Sequence, residues 1–568
     1  MTNLLTIRNG LAGLFLLLPC LMIGQNRPLP ATDRARTHHE IPDQPYLAPG
    51  VKKSAPSHRN DEPGFFTTQV NVDANGNNIE GDAANEPSIA VDPNNPDRMV
   101  IGWRQFDNVG SNFRQAGYGY STDGGLSWTF PGVIEPGIFR SDPVLDFDKE
   151  GNFYYNSLNS DNGVYTCKVF KSIDGGATWD AGTPAYGGDK QWMVIDRTNG
   201  PGSDNIYSFW TKYYSSCNPG AFTRSTNNGS SFEPCIEVDG EPYWGTMDFG
   251  PDGELYIAGG GIWDGFVVVK SSTAQIPGGS VGWDFSNQVD MDGYMTGQAS
   301  VNPVGIMGQA NICVDRSNGP GRGNVYVLGS LARLSNTDPG DVMFARSTDG
   351  GMTFSPPVRL NNDASMVNYQ WFGTMAVAPN GRIDVIWLDT RDDLPGSLYS
   401  DLYYCYSDDQ GTSWSINKRL SDTFNPLTGF PQQDKMGDYF DMVSDDIGAH
   451  LAWANTLNGE QDVYYTHIIP QIVGVEDPGA GRESAGLSIR PNPFRETALI
   501  QFSLPSKGNV RLEICNIYGS VVKTLVSGEK PAGIHTLSLR GENLSTGCYF
   551  CRLTYGEQST VQKLVKVN

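Results

Sequence analysis

The chain runs to 568 residues, with 67 glycines, 36 prolines, 11% aromatic and only 18% charged residues, a composition that suits many short strands and tight turns. Its net charge of -23, from 40 basic against 63 acidic side chains, repels a phosphate backbone, which excludes nucleic acid as a partner and suits a protein soluble outside the cell. At roughly 150 residues per domain the length admits two or three domains, or one large repeat domain and a small one.

Residues 1–24 read as a signal peptide: Arg8 marks a short basic start, residues 11–22 are apolar, and Gly24 offers a small residue for cleavage. That run is too short to cross a bilayer, and no later stretch approaches about 18 apolar residues, so no transmembrane segment is expected. Pro19 stands where a lipoprotein signal needs a small residue before Cys20, which argues against lipidation. Residues 25–63 are polar and Pro-rich, and read as a disordered lead-in. A lone strand is expected at 65–73 (FFTTQVNVD). The loop 73–82 (DANGNNIEGD) carries oxygen ligands of the kind calcium takes, without EF-hand spacing. A solvated loop is the plainer reading, and no cofactor is required.

Cys217 and Cys235 flank one expected hairpin almost symmetrically, which suits a disulfide in an oxidising compartment, or else two buried thiols. No Cys-x-x-Cys pair with matching histidines exists. Cys548 and Cys551, three apart on one strand, face opposite sides, so no zinc centre is expected.

Between these landmarks the sequence repeats itself. Five octets share Ser-x-Asp-x-Gly-x-(Ser/Thr)-(Trp/Phe): 121–128 (STDGGLSW), 172–179 (SIDGGATW), 225–232 (STNNGSSF), 347–354 (STDGGMTF) and 407–414 (SDDQGTSW). Asp123, Asp174, Asp349 and Asp409, with Asn227 in the third copy, suit a hairpin turn in which the side chain accepts backbone N–H bonds and glycine supplies positive φ. A second unit of strand, Gly/Asn/Pro turn and strand occurs seven times, at 87–103, 143–157, 191–210, 244–259, 310–329, 371–387 and 439–453. The fourth unit replaces its octet by the connection 271–282, and the seventh stops after a third strand at 462–468. The strand at 65–73 is free to fill the missing place and cover the open edge. The expected fold is therefore all-β: a seven-bladed β-propeller over 64–473, with six blades as the alternative.

The octet resembles the Asp-box, or BNR repeat, of sialidases and other propellers, where it joins the third and fourth strands of a blade. In such a fold the boxes share a face with the turns between first and second strands, and serve as structural punctuation. The opposite face collects Glu86, Asp142, Asp189, Trp244, Gln309, Gln370, Trp371, Asp438 and Tyr439 from first strands, and Arg104, Asp389, Arg391 and Asp392 from second strands. Carboxylates, guanidinium forks and aromatic platforms around one depression suit a sugar. The candidate ligand-binding residues are Arg104, Arg140, Arg391, Asp189, Trp244, Trp371 and Asp438. The plainer reading gives Asp142, Asp189 and Asp438 to backbone N–H groups along the central channel, and Trp103, Trp210, Trp387 and Trp453 to packing between blades. Likeness to the sialidases implies an arginine triad of Arg104, Arg140 and Arg391, Tyr439 as nucleophile beside Glu86, and Asp142 as acid/base. Residues 139–143 (FRSDP) are similar to the Phe-Arg-Ile-Pro motif of that family with one residue inserted. Sialidases have six blades, however, and Arg104 and Arg140 flank a single blade. Two functions stand: a module binding a glycan or protein ligand outside the cell, or an exo-sialidase acting on terminal sialic acids.

A Gly/Pro/Glu/Ser linker at 474–485 leads to short strands over 486–568, which suggests a small Ig-like sandwich. Here 490–494 (RPNPF), 502–505 (FSLP), 510–519 (VRLEICNIYG), 544–553 (LSTGCYFCRL) and 563–567 (KLVKV) resemble the C-terminal sorting domain of the type IX secretion system of Bacteroidetes. Cys515 and Cys551 stand where that pattern has a larger residue. The resemblance implies a partner in the type IX machinery, and a protein released or displayed at the outer-membrane surface after signal-peptide export.

Overall fold

The computed structural model describes residues 45–48, 52–470 and 486–567, apart from 162, 214, 262–264, 395, 491, 496, 505–506, 517–520, 532, 542–543 and 557. The expected signal peptide, most of the lead-in and the linker lie outside the described residues. Every regular element with described bounds is a strand, so the protein is all-β. Among the described residues no helix is long and apolar enough to cross a membrane.

From Ala83 to Ile468 the chain folds back on itself sheet by sheet. The first strands of the successive sheets are Ala83–Val91, Ser141–Phe147, Trp192–Ile195, Tyr243–Phe249, Asn311–Val314, Gln370–Val377 and Asp441–Ser444. Each of these packs against the next, and the last packs against the first, so the sheets form a ring with the first strands innermost. An innermost strand has one edge without a neighbouring strand, and its N–H groups need other partners. Side chains of the preceding sheet supply them. Ser88 Oγ accepts from Leu145 N, Asp146 Oδ2 from Ile195 N, Thr246 Oγ1 from Ile312 N, Asp248 Oδ2 from Val314 N, and Asp441 Oδ2 from Ile89 N.

Packing between sheets holds the ring. Trp103, Trp210, Trp387 and Trp453 are all fully buried, as the interblade reading expects. Each large apolar side chain so buried stabilises by roughly 2–3 kcal/mol, against about 1 kcal/mol for a turn hydrogen bond, so the core outweighs the boxes. The boxes repeat one geometry. In the first, Asp123 Oδ1 accepts Ser127 N (3.0 Å) and Asp123 Oδ2 accepts the Ser127 hydroxyl (2.6 Å). Gly125 is required there, because its φ is +81° and a Cβ would stand 2.1 Å from the Tyr465 ring.

Order begins earlier than the sequence suggests. The lead-in expected over 25–63 contains strands Lys53–Ala55, paired with Asn78–Glu80, and Arg59–Glu62, paired with Phe65–Gln69. The strand expected at 65–73 spans Phe65–Gln69 and pairs with Asp462–Ile468 in the seventh sheet. Beyond it, the Asn71 side chain continues the join, accepting from Val463 N (3.0 Å) and donating to Asp462 Oδ1 (2.7 Å). Cys217 and Cys235 are disulfide-bonded.

Residues 486–567 form two sheets. One holds Gly486–Arg490, Thr497–Leu504 and Gly533–Arg540, and the other Val521–Lys530, Gly508–Cys515, Gly547–Tyr555 and Gln558–Lys566. Ile489, Phe494, Ile500, Phe502, Leu512, Ile514, Leu539, Leu553 and Leu564 make their common core.

Candidate functional site

The first strands carry a β-bulge near their start, between Asn85 and Ser88 in the first sheet, between Tyr243 and Thr246 in the fourth, and between Trp371 and Thr374 in the sixth. Glu86, Asp142, Lys190, Trp244 and Phe372 hold positive φ (49°, 45°, 55°, 49° and 55°) at matching positions of five sheets. Left-handed backbone at a non-glycine residue costs on the order of 1–3 kcal/mol and persists only where the surroundings enforce it. Here it turns the strand starts toward the ring centre and brings charged side chains together.

Arg104 Nε lies 3.1 Å from Glu86 Oε2 and donates to Asn85 Oδ1 at 2.9 Å. Lys435 Nζ lies 3.6 Å from Glu86 Oε1 and 2.6 Å from Asp438 Oδ2. Lys190 Nζ lies 2.5 Å from Asp438 Oδ2, 3.5 Å from Asp189 Oδ1 and 3.9 Å from Asp142 Oδ2. The cluster thus contains four of the expected acids, held by three cations, and none of the seven residues is more than 2% exposed. Burial lowers the Lys190 ammonium, but the surrounding carboxylates, led by Asp189 and Asp438, raise it well above its ordinary value. Burial likewise raises Glu86, against the pull of Arg104 and Lys435.

The remaining expected residues do not complete a catalytic set. Tyr439 is 3% exposed, its hydroxyl donates to the Pro143 carbonyl at 2.7 Å, and burial pushes it well above the usual phenol range, with Glu86 and Asp142 adding to the rise. A nucleophile needs the opposite shift. The three arginines go to separate acids: Arg104 to Glu86, Arg140 to Glu135, and Arg391 to Asp389 at 2.7 Å. Arg391 also stacks on Tyr403, and Arg140 on Phe170. Trp244 and Trp371 are 1% and 0% exposed, in two different core clusters. Among the described residues, the side chains expected around an open depression on this face are instead buried, with four acids facing three cations. The side chains share a face but point at one another.

An open space lies at the other mouth of the ring. A cavity of about 810 Å³ is bounded by the inner strands and by the turns between first and second strands, including Pro93, Asn199, Asp252, Arg322 and Pro379. Two arginines on its wall occupy equivalent places. Arg197 Nη1 donates to Asp146 Oδ1 at 2.6 Å, with its guanidinium 4.2 Å from the Phe147 ring centre. Arg316 Nη1 donates to Asp248 Oδ1 at 2.5 Å and stacks 4.1 Å from the centre of Phe249, whose ring Arg197 also approaches at 5.1 Å. At the rim, exposed Arg322 donates to the carbonyls of Arg316 and Ser317. Sequence reasoning missed Lys190, Lys435 and these wall arginines. The signal for the latter was present: Asp-Arg-(Thr/Ser)-Asn-Gly-Pro-Gly occurs at 196–202 and again at 315–321.

No curated protein matches the chain. Among solved structures, a Dyadobacter fermentans protein of unknown function is 14% identical, with 71% of this chain and 98% of that one covered and a TM-score of 0.40. A Trypanosoma rangeli sialidase in complex with the inhibitor DANA is 9% identical, covering 91% and 89%, with a TM-score of 0.34. PorZ, a surface component of the type IX secretion system of Porphyromonas gingivalis, is 12% identical, covering 89% and 73%, with a TM-score of 0.29. Likeness at this level carries no assignment. Residues 488–567, by contrast, match the family model described as the secretion system C-terminal sorting domain. The chain ends in a sorting domain of the type IX secretion system, and that domain supports its export.

Proposed function

We propose that residues 65–468 form a seven-bladed β-propeller, closed by strand Phe65–Gln69 and followed by an Ig-like sorting sandwich, and that it serves as a binding module outside the cell. The ligand, a glycan or a protein segment, sits in the axial cavity on the face that carries the Asp-boxes. The observation that carries this reading is the contrast between the two mouths of the ring. One is a cavity of about 810 Å³, within the usual range of roughly 300–1,000 Å³ for ligand sites. At the other, among the described residues, four buried acids and three buried cations face one another. Asn199, Asp252 and Arg322 at the rim offer hydrogen bonds of several kinds, as a polyhydroxylated or peptide ligand requires. The hydrolytic alternative loses support because Tyr439, Asp142 and Glu86 are buried and engaged with protein groups.

The test is a glycan and peptide array probed with the exported chain and with Arg322→Glu. Retention by the parent protein that Arg322→Glu abolishes supports the cavity as the site. Retention that survives this change, or turnover of a fluorogenic sialoside that Tyr439→Phe removes, overturns it.

A further inference from the structure

The structure separates the two acids that begin and end the loop 73–82. Asp73 is committed to its own turn: Oδ1 accepts the N–H groups of Asn75 (2.8 Å) and Asn77 (3.0 Å), and Oδ2 accepts the Ser54 hydroxyl (2.8 Å). Asp82, at the far end of the loop, meets Glu460 and Asp462 instead. One carboxylate oxygen from each of the three lies within 4.8 Å of the others.

Asp82 and Asp462 are 1% and 0% exposed. Around them stand neutral donors. Gln105 Nε2 reaches Asp82 Oδ2 (2.8 Å), Asn71 Nδ2 reaches Asp462 Oδ1 (2.7 Å), and Asn78 Nδ2 reaches Glu460 Oε1 (2.9 Å). These amides orient the carboxylates but bring no charge, and exposed Lys52 acts on Asp82 without reaching ion-pair contact. Two buried groups remain unsatisfied. Asp82 Oδ1 accepts no hydrogen bond, and neither does the hydroxyl of Tyr464 make one. Tyr464 is fully buried, and it follows Asp462 by two residues and so faces the same side of the strand.

Buried carboxylates this close require a counter-charge or protons. Ca²⁺ takes six to eight oxygens at about 2.3–2.6 Å, so ligands on opposite sides of the ion stand about 4.6–5.2 Å apart. That span accommodates the separation found here, and an all-oxygen set without histidine or cysteine selects a hard cation. We propose that Asp82, Glu460 and Asp462 bind one Ca²⁺ ion, with water completing its shell, and that the ion fastens the first sheet to the seventh. Asp82 immediately precedes strand Ala83–Val91 of the first sheet, and Asp462 opens strand Asp462–Ile468 of the seventh. The ion therefore locks the seam at which the ring closes, independently of any ligand in the axial cavity.

The test uses the full chain without its signal peptide, stripped with EDTA. Titration with CaCl₂ should give a single-site heat, and the thermal midpoint should rise with Ca²⁺ but not with an equal ionic strength of NaCl. Asp82→Asn keeps the shape of the side chain and removes one like charge. It should weaken Ca²⁺ binding by at least about 10-fold, while its EDTA-treated form melts no lower than the parent. That second readout separates loss of a ligand from damage to the fold. Absence of heat and of a midpoint shift at millimolar Ca²⁺ overturns the site. So does a response that Asp82→Asn and Asp462→Asn both leave intact.

Discussion

The chemistry of the repeated octet turn is decided by one side chain, and the third octet shows which part of it matters. Asn227 Oδ1 accepts from Ser231 N (3.0 Å) and from the Ser225 hydroxyl (2.9 Å), while Nδ2 donates to Ser231 Oγ (2.8 Å). Asp123 makes the same set with one donor and acceptor exchanged: Oδ1 accepts from Ser127 N and the Ser121 hydroxyl, and Oδ2 from the Ser127 hydroxyl. Shape and acceptor position are enough to make the turn, and the carboxylate's charge adds to it. Asp123→Asn should therefore cost under about 1 kcal/mol, and Asp123→Ala, which strips all three bonds at an exposed turn, about 1–2 kcal/mol. Thermal and urea unfolding of the two variants measure this. Equal losses would mean that the carboxylate charge, and not the hydrogen-bond pattern, holds the turn.

At the scale of elements the seam decides stability. Strand Asp462–Ile468 pairs on one side with Ala449–Asn455 and on the other with Phe65–Gln69, which Arg59–Glu62 covers in turn. A chain beginning at residue 75 exposes the row of N–H and C=O groups on Asp462–Ile468, and such an edge templates association. It should melt lower and aggregate with rising concentration in light scattering, whereas a chain beginning at 56 loses the peripheral strand Lys53–Ala55 and the contacts of Tyr46 with Asp107 and Phe113, keeps the seam strand, and should stay monodisperse. Indistinguishable behaviour of the two truncations would remove the seam from the stability of the ring. The strand itself was legible in the sequence, because 65–73 alternates ahead of the first repeat and the seventh unit lacks a strand. The boxes and the sheet order were legible for the same reason: turn chemistry and strand alternation are local. The charged cluster was legible only in half. Its acids stand at repeat positions, but Lys190 and Lys435 belong to no motif, and the left-handed bulge that gathers them depends on contacts between sheets. Sequence reveals which residues share a face. It does not reveal whether they point at solvent or at each other.

The whole molecule carries two populations of carboxylates with opposite pH behaviour. Burial raises Asp338, Asp401 and Asp441 to about 6. The box acids Asp123, Asp174 and Asp409 lie below their usual value, because hydrogen bonds from the turn outweigh their burial. In Asp349 those bonds, led by the Thr353 hydroxyl, bring the value to about 2. A carboxyl raised on folding binds a proton in the folded state between the unfolded value, about 4, and its own, so its contribution falls as pH rises through that window. A lowered carboxyl contributes fully above about pH 4 and loses its contribution as pH falls toward its folded value. The net charge of -23 adds self-repulsion on the alkaline side, in the same direction as the buried acids. The thermal midpoint should therefore peak at about pH 4, decline toward pH 8 as the buried acids ionise, and fall steeply below about pH 3 as the boxes protonate. Melts in EDTA at constant ionic strength isolate this term from any bound cation. Replacing Asp123, Asp174, Asp349 and Asp409 together by Asn should flatten the acid limb and leave the alkaline limb in place. A midpoint that stays level from about pH 5 to pH 8 would show that the buried acids are compensated in the folded ring, and that the boxes alone set the profile.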